Sequence, residues 1–202
     1  KIKHHRSKGR VAKLILELDK LPSFNNCDDN DLDSRMVVAP SIDYIEETFN
    51  PSKFDKLSLE PTLEICVKKD SDQNPKLDIQ VQYAPYKTHQ GWENIKESYV
   101  ESIIRIISKY APNINECIER KKLLTPDDIE SEYNVSGGHW HHGEIQIDQL
   151  FMMRPIPGAS QYKTHLDGLF MCGAGTHPGG GLTGISGLSL IHISEPTRLL
   201  AI

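Results

Sequence analysis

Gly168–Gly187 reads GLFMCGAGTHPGGGLTGISG. Its apolar start, Leu169–Cys172, predicts a short strand running into a turn that holds Gly173, Gly175, Gly179, Gly180 and Gly181, with a helix start near Gly184. A strand that ends in a glycine-rich turn ahead of a helix is how α/β folds bring backbone N–H groups against a phosphate or a cofactor ring. The chemistry needs residues without a Cβ wherever a planar or anionic group comes into contact. The strand does not run directly into a G-x-G-x-x-G, and there is no P-loop with its Lys, so by itself the spacing leaves a purely structural turn open. His177 lies inside the turn, which marks it out from an average His.

Two segments upstream share this texture, and most of the 14 Gly fall from Gly137 onward. In Met152–Gly158 (MMRPIPG) the prolines enforce an extended path, and Arg154 is a fixed cation that pairs with an acid or a phosphate, or is simply solvated or structurally paired. Gly137–Glu144 (GGHWHHGE) holds three of the nine His and one of the two Trp. His139, His141 and Glu144 are residue types that bind zinc, yet no HExxH and no separated Cys/His cluster completes a site, so no metal is expected. Hydrogen bonding around a buried pocket, contact with a cofactor or substrate by His139, Trp140 and His142, and plain packing stay open beside it.

The preceding residues read as strands and helices. Arg10–Leu18 (RVAKLILEL) predicts a buried strand, Met36–Ala39 a short one, and Ser41 a cap for a helix through Phe49 that presents Ile42, Ile45 and Phe49 on one face. Leu63–Lys68 and Leu77–Tyr83 flank the turn formers of Asp70–Pro75 and predict a hairpin. In its second arm Leu77, Ile79, Val81 and Tyr83 alternate with polar residues, so one face is buried and the other wet. Trp92–Tyr110 is the strongest helix, with a core stripe of Ile95, Tyr99, Ile103, Ile106 and Tyr110 ended by Ala111-Pro112. Thr125-Pro126-Asp127-Asp128 starts a second, short helix that ends near Asn134.

Composition narrows the function classes. The 202 residues are 38% hydrophobic and 25% charged, ordinary globular figures. Twenty-three Lys and Arg against 28 Asp and Glu give a net charge of −5, which argues against a nucleic-acid partner. Apolar runs such as Ile103–Ile107 are far too short to span a bilayer, although peripheral contact with a membrane stays open. The four Cys contain no CxxC and read as reduced thiols of an intracellular protein, with Cys66 and Cys172 buried.

Taken in order, QYAPY (Gln82–Tyr86), LTPDDIE (Leu124–Glu130), SGGHWHHGE (Ser136–Glu144), DQLFMMRPIPG (Asp148–Gly158) and GLFMCGAGTHPGGGLTG (Gly168–Gly184) resemble the C-terminal part of the phytoene desaturase-like FAD-dependent oxidoreductases. The resemblance runs from about Gly9 to Gly187. It implies an α/β protein of two parts: a glutathione-reductase-type FAD-binding domain, and an α+β substrate domain of mixed sheet and helices. Residues 1–150 then fall in an incomplete substrate domain and residues 151–187 in the C-terminal segment of the FAD-binding domain. No strand running straight into GxGxxG and then a helix occurs here, so the Rossmann half of the family pattern is absent from this sequence. Carried over by position, Gly173, Ala174, Gly175, Pro178, Gly179, Gly180, Gly181, Leu182 and Thr183 match the family's second FAD-contacting motif. A helix starting near Gly184 would aim its positive end at the flavin, favouring the charge that develops when the ring accepts a hydride. No acid or base stands out, and His139, His142 and His177 are the catalytic candidates.

The reading implied by the resemblance is a fragment of an FAD-dependent oxidoreductase, inactive alone. The whole protein would move a hydride between an apolar or amine-like small molecule and flavin, by desaturation or amine oxidation. The alternative is a noncatalytic binding or regulatory protein that keeps the flavin fold. The parent is expected in the cytoplasm of a bacterium or the mitochondrion of a eukaryote. The first residue is Lys1 rather than Met, so the chain is expected to start inside a longer frame. At the other end, Leu188–Arg198 (LSLIHISEPTR) matches the in-frame translation of a transposase sequencing adapter, and residues 188–202 are read as non-native.

Overall fold

In the computed structural model the described residues are 5–28, 30–70, 73–180 and 184–194. The chain divides into two compact units, Gly9–Gly138 and a second made of Lys1–Lys8 with His139–Ile202.

The first unit is built on a five-stranded sheet in the order β2-β3-β4-β1-β5, with β1 Val11–Leu18, β2 Met36–Val38, β3 Leu63–Asp70, β4 Gln73–Gln82 and β5 Ile118–Leu124. Alternation in β1 buries Ala12, Leu14, Leu16 and Leu18, and Leu77, Ile79 and Val81 of β4 lie beside them on the same face, as the period-2 pattern requires. Strand β4 already begins at Gln73, within the run of turn formers, and Ser71 and Asp72 of that run lie outside the described residues. The other face carries ion pairs between neighbouring strands, Lys13–Asp78 at 2.9 Å and Lys76–Glu17 at 3.1 Å. Every pairing among the described residues is antiparallel, where the resemblance implies a mixed sheet. A hairpin joins β3 to β4, and no crossover helix returns the chain to make a parallel neighbour.

Helix α2, Trp92–Ser108, covers the apolar face, burying Tyr99, Ile103 and Ile106 as expected, with Val100, Ile104 and Ile107 added. Tyr110 falls beyond the helix and is 40% exposed. Helix α1, Ile42–Ser52, has its Ser41 cap accepting from the Tyr44 amide, but it turns a different face inward from the one expected. Ile42 and Ile45 are exposed, whereas Thr48 and Ser52 are buried. Polar contacts explain the rotation: Thr48 pairs with Thr62 at 3.1 Å, Arg10 donates to the Ser52 hydroxyl, and Tyr44 donates to the Pro61 carbonyl. After the four-residue α3, Ile114–Cys117, strand β5 leads to α4, Pro126–Tyr133. Helix α4 opens on a capping box in which the Thr125 hydroxyl accepts from the Asp128 amide and the Asp128 carboxylate accepts from the Thr125 amide. It ends at Asn134 in the left-handed conformation.

Gly138, at the end of this unit, is buried with φ +62, and a Cβ there would lie 1.8 Å from the Pro126 carbonyl oxygen. Only glycine allows the two backbones to close on each other at that point. Of the cysteines, Cys117 is buried, Cys66 half-buried and Cys172 exposed, so the expectation of two buried thiols is met only in part at Cys66 and fails at Cys172. No helix among the described residues is long and apolar enough to cross a membrane.

The second unit holds mostly single 3-10 turns and bends, followed by α5, Ile185–Ser194. The helix begins where the sequence predicts and continues through Leu188–Ser194, the described part of the adapter-like tail, where Leu188 and Ile191 are exposed. Residues 195–202 of that tail lie outside the described residues.

Candidate functional site

Among the described residues of the second unit, His141 and His142 lie against the glycine-rich turn, and Arg154 donates to the His141 carbonyl. A Cβ on Gly180 would lie 3.1 Å from the Ala174 Cβ and 3.5 Å from His141 Nδ1. The two arms of the turn are therefore folded onto each other with the His141 ring beside them. Gly175 faces His142 in the same way, 3.7 Å from its Cβ to an added one. At Gly173 (φ +94) and Gly179 (φ +114) the surroundings are open, and a Cβ would meet nothing within 4 Å. Bare backbone thus borders free space on both arms.

The turn is fastened from beneath. Thr176, 3% exposed, donates its hydroxyl to the Gly173 carbonyl at 2.8 Å and its amide to the same oxygen at 3.1 Å. The His177 carbonyl accepts from the Tyr162 hydroxyl at 2.8 Å and from the Ser186 hydroxyl at 3.3 Å, and Tyr162 and Ser186 are themselves buried. The His177 ring pairs through Nδ1 with the Phe151 carbonyl at 2.6 Å, which leaves Nε2 for another partner. The strand expected at Leu169–Cys172 shrinks to one antiparallel bridge, Lys163 to Phe170, with the Met171 amide donating to the Tyr162 carbonyl. One short partner on one side cannot extend a ladder further.

Arg154 is the most unusual side chain in this unit. It is 2% exposed and forms no ion pair among the described residues. One terminal nitrogen donates to the His141 carbonyl, while Nε has no partner. Burial pulls its pKa below the ordinary arginine value, but guanidinium stays charged in proteins, so this is a desolvated cation in want of an anion. His139 is half-buried, and its Nδ1 accepts from the His141 amide at 3.2 Å. Burial first, then the neighbouring His141, holds its pKa below the usual imidazole range; Glu144 opposes the shift and Arg154 reinforces it. His139 is thus poised as a neutral imidazole.

The structure therefore brings Ala174, Gly175 and Gly180 together with His141 and His142, and seats His139 near Arg154. His142, at φ +58, has an exposed ring. Pro178 is exposed beside the turn, while Gly181, Leu182 and Thr183 lie outside the described residues. Sequence reasoning undervalues Arg154: the residue type is visible, but nothing in MMRPIPG foretells its burial. No group of three or more metal-ligating side chains occurs among the described residues. The orphaned Nε of Arg154 and the open backbone at Gly173 and Gly179 suit a group that is anionic at one end and flat or slender enough to lie along main chain.

Comparison with known proteins agrees with the motifs: along most of its length the chain resembles the phytoene desaturase-like oxidoreductases. Within that class it is similar to pyridine nucleotide-disulfide oxidoreductase domain-containing protein 2 of Mus musculus, 29% identical over 214 residues that cover 91% of this chain and 34% of the relative. A phytoene desaturase (neurosporene-forming) of Cereibacter sphaeroides is 31% identical over 96 residues, 48% of this chain and 18% of its own. A limonene dehydrogenase polypeptide of Castellaniella defragrans is 32% identical over 102 residues, 49% of this chain and 19% of its own. The chain spans about a third of the length of the mouse relative. No protein-family model matches it.

Proposed function

We propose that this chain is part of an FAD-dependent oxidoreductase. In this reading residues 1–150 contribute to the substrate domain and residues 151–187 to the closing segment of the FAD-binding domain. The observation that carries it is the similarity to the mouse relative over 91% of the chain. The site's chemistry supports it independently, because a buried cation with no acid partner among the described residues, in the same unit as an open glycine-lined backbone, is suited to a phosphorylated cofactor.

When bound, FAD supplies the hydride chemistry. Gly173, Gly175, Gly179 and Gly180 let the main chain approach it, and Arg154 balances its negative charge. Thr176, Tyr162 and Ser186 fix the turn so that little ordering is left to be done on binding. The N-terminus of α5 offers a positive end to charge developing on the ring. His139, neutral near pH 7, and His177, with Nε2 available, are the groups suited to hold or pass a proton. The substrate we assign is an apolar or amine-like small molecule, in keeping with relatives named for phytoene desaturation and limonene dehydrogenation. The free state of all four cysteines is in keeping with a reducing, intracellular setting for the parent.

The test is to express the whole reading frame containing this chain and record its absorption spectrum after purification. Flavin bands that survive gel filtration, and that weaken in Arg154→Met while the melting temperature holds, are the expected result. A colourless, folded protein that gains no flavin bands on incubation with FAD would overturn the proposal.

A further inference from the structure

A cavity of about 540 Å³ lies within the Gly9–Gly138 unit. Its walls come from three places: Asp55–Leu59 after α1, the Thr88–Gln90 segment, and the face of α2 carrying Ile95, Tyr99 and Arg105. The volume falls in the range of small-molecule sites. Leu57, Leu59, Ile95 and Tyr99 make the walls apolar, and the hydroxyls of Ser98 and Ser102 are turned back onto their own helix, donating to the Ile95 and Tyr99 carbonyls. These serines offer their protons elsewhere, so the wall presents mainly carbon.

Charge at the rim is unbalanced. Lys56 and Arg105 line the cavity with one carboxylate, Asp55, and neither cation has an ion-pair partner among the described residues. Most other cations of this unit do, including Lys53, Lys96 and Lys109 nearby in sequence. On the same wall, the buried hydroxyl of Thr88 has no hydrogen-bond partner. An apolar pocket with two unpaired cations and an unsatisfied hydroxyl is complementary to a molecule with a hydrocarbon body and an anionic, hydrogen-bond-accepting head.

We propose that this cavity binds an apolar small molecule bearing a carboxylate, independently of the flavin site. Arg105 and Lys56 receive the head, and Leu57, Leu59, Ile95 and Tyr99 enclose the chain.

Trp92 gives the readout, since its ring lies 5.9 Å from Tyr99, and Trp140→Phe removes the only other tryptophan. Titrating the full chain in this background with sodium octanoate should change Trp92 fluorescence saturably, and calorimetry should return the same Kd. Lys56→Gln with Arg105→Gln should weaken octanoate by about tenfold, as the loss of two solvent-accessible charge contacts predicts. Octan-1-ol should be weaker than octanoate for the unmodified pocket and indifferent to the double substitution. Leu59→Glu, at a position 78% exposed and therefore tolerant of change, should abolish octanoate binding. No saturable response to octanoate, equal affinity for the double variant, or equal affinity for octanol would each overturn the proposal. None of these outcomes bears on whether the parent protein carries flavin.

Discussion

Gly138→Ala is the sharpest probe of how the first unit is closed. The glycine is buried at φ +62, a conformation that costs an L-residue about 1–2 kcal/mol. Its added Cβ would sit 1.8 Å from the Pro126 carbonyl oxygen, 2.5 Å from the carbonyl carbon and 2.8 Å from Cα. All three are main-chain atoms of the first turn of α4, so no rotamer change relieves the clash, and overpacking of this kind costs about 1–3 kcal/mol. Alanine also restricts the unfolded chain, returning about 0.4–1 kcal/mol. The expected net loss is about 1–5 kcal/mol, read as a lowered urea midpoint by far-UV circular dichroism. Gly91→Ala is the matched control, because Gly91 also has positive φ (+76) but its Cβ would meet only the Asn94 side-chain nitrogen at 3.6 Å. If Gly138→Ala loses no more stability than Gly91→Ala, the close approach of the two backbones is not what limits this position.

Other outcomes follow from the same geometry. Thr125→Ala removes the capping box of α4 and should cost about 1–2 kcal/mol, whereas Thr125→Ser, which keeps the hydroxyl, should cost little; thermal melts separate the two. Ile103→Ala, at a position with no exposed surface, should cost about 2–5 kcal/mol by denaturant titration. His139 is held neutral in the folded chain, so the unfolded chain binds the extra proton; its contribution is fully present above about pH 6.5 and is lost as pH falls through the depressed native value. A stability profile between pH 5 and 7 should flatten in His139→Gln, and an unchanged slope would sink that assignment. In the parent protein, Gly180→Val should lower flavin content, since even one Cβ would sit 3.1 Å from the Ala174 Cβ.

Much of the first unit is legible in the sequence because its signals are local. The alternation in Val11–Leu18 and Leu77–Val81, and the Thr-Pro-Asp-Asp start of α4, each specify an element without reference to distant residues. Strand β5 has no such signal: Glu119–Lys122 is a continuous charged run, and the strand exists because β1 offers it a backbone ladder. The inward face of α1 escapes a hydrophobic reading because its buried positions are Thr48 and Ser52, whose burial is stabilised by hydrogen bonds that no apolar pattern records. At the site, the glycine turn is visible as composition, whereas Arg154's burial depends on tertiary packing, with the His141 carbonyl as its hydrogen-bond partner, and leaves no trace in its neighbours.

The wet face of the sheet does more than keep the unit in solution. Apolar alternation forbids β1 to slip by one residue against β4, because Leu14 and Leu16 would then face water. It is blind to a slip of two, which preserves the faces. In the observed register Glu17 stands opposite Lys76, and in one of the two-residue slips it would stand opposite Asp78 instead, trading attraction for repulsion between carboxylates. The ion pairs of this face, each of small energy, thereby disfavour one misaligned register that burial alone would accept.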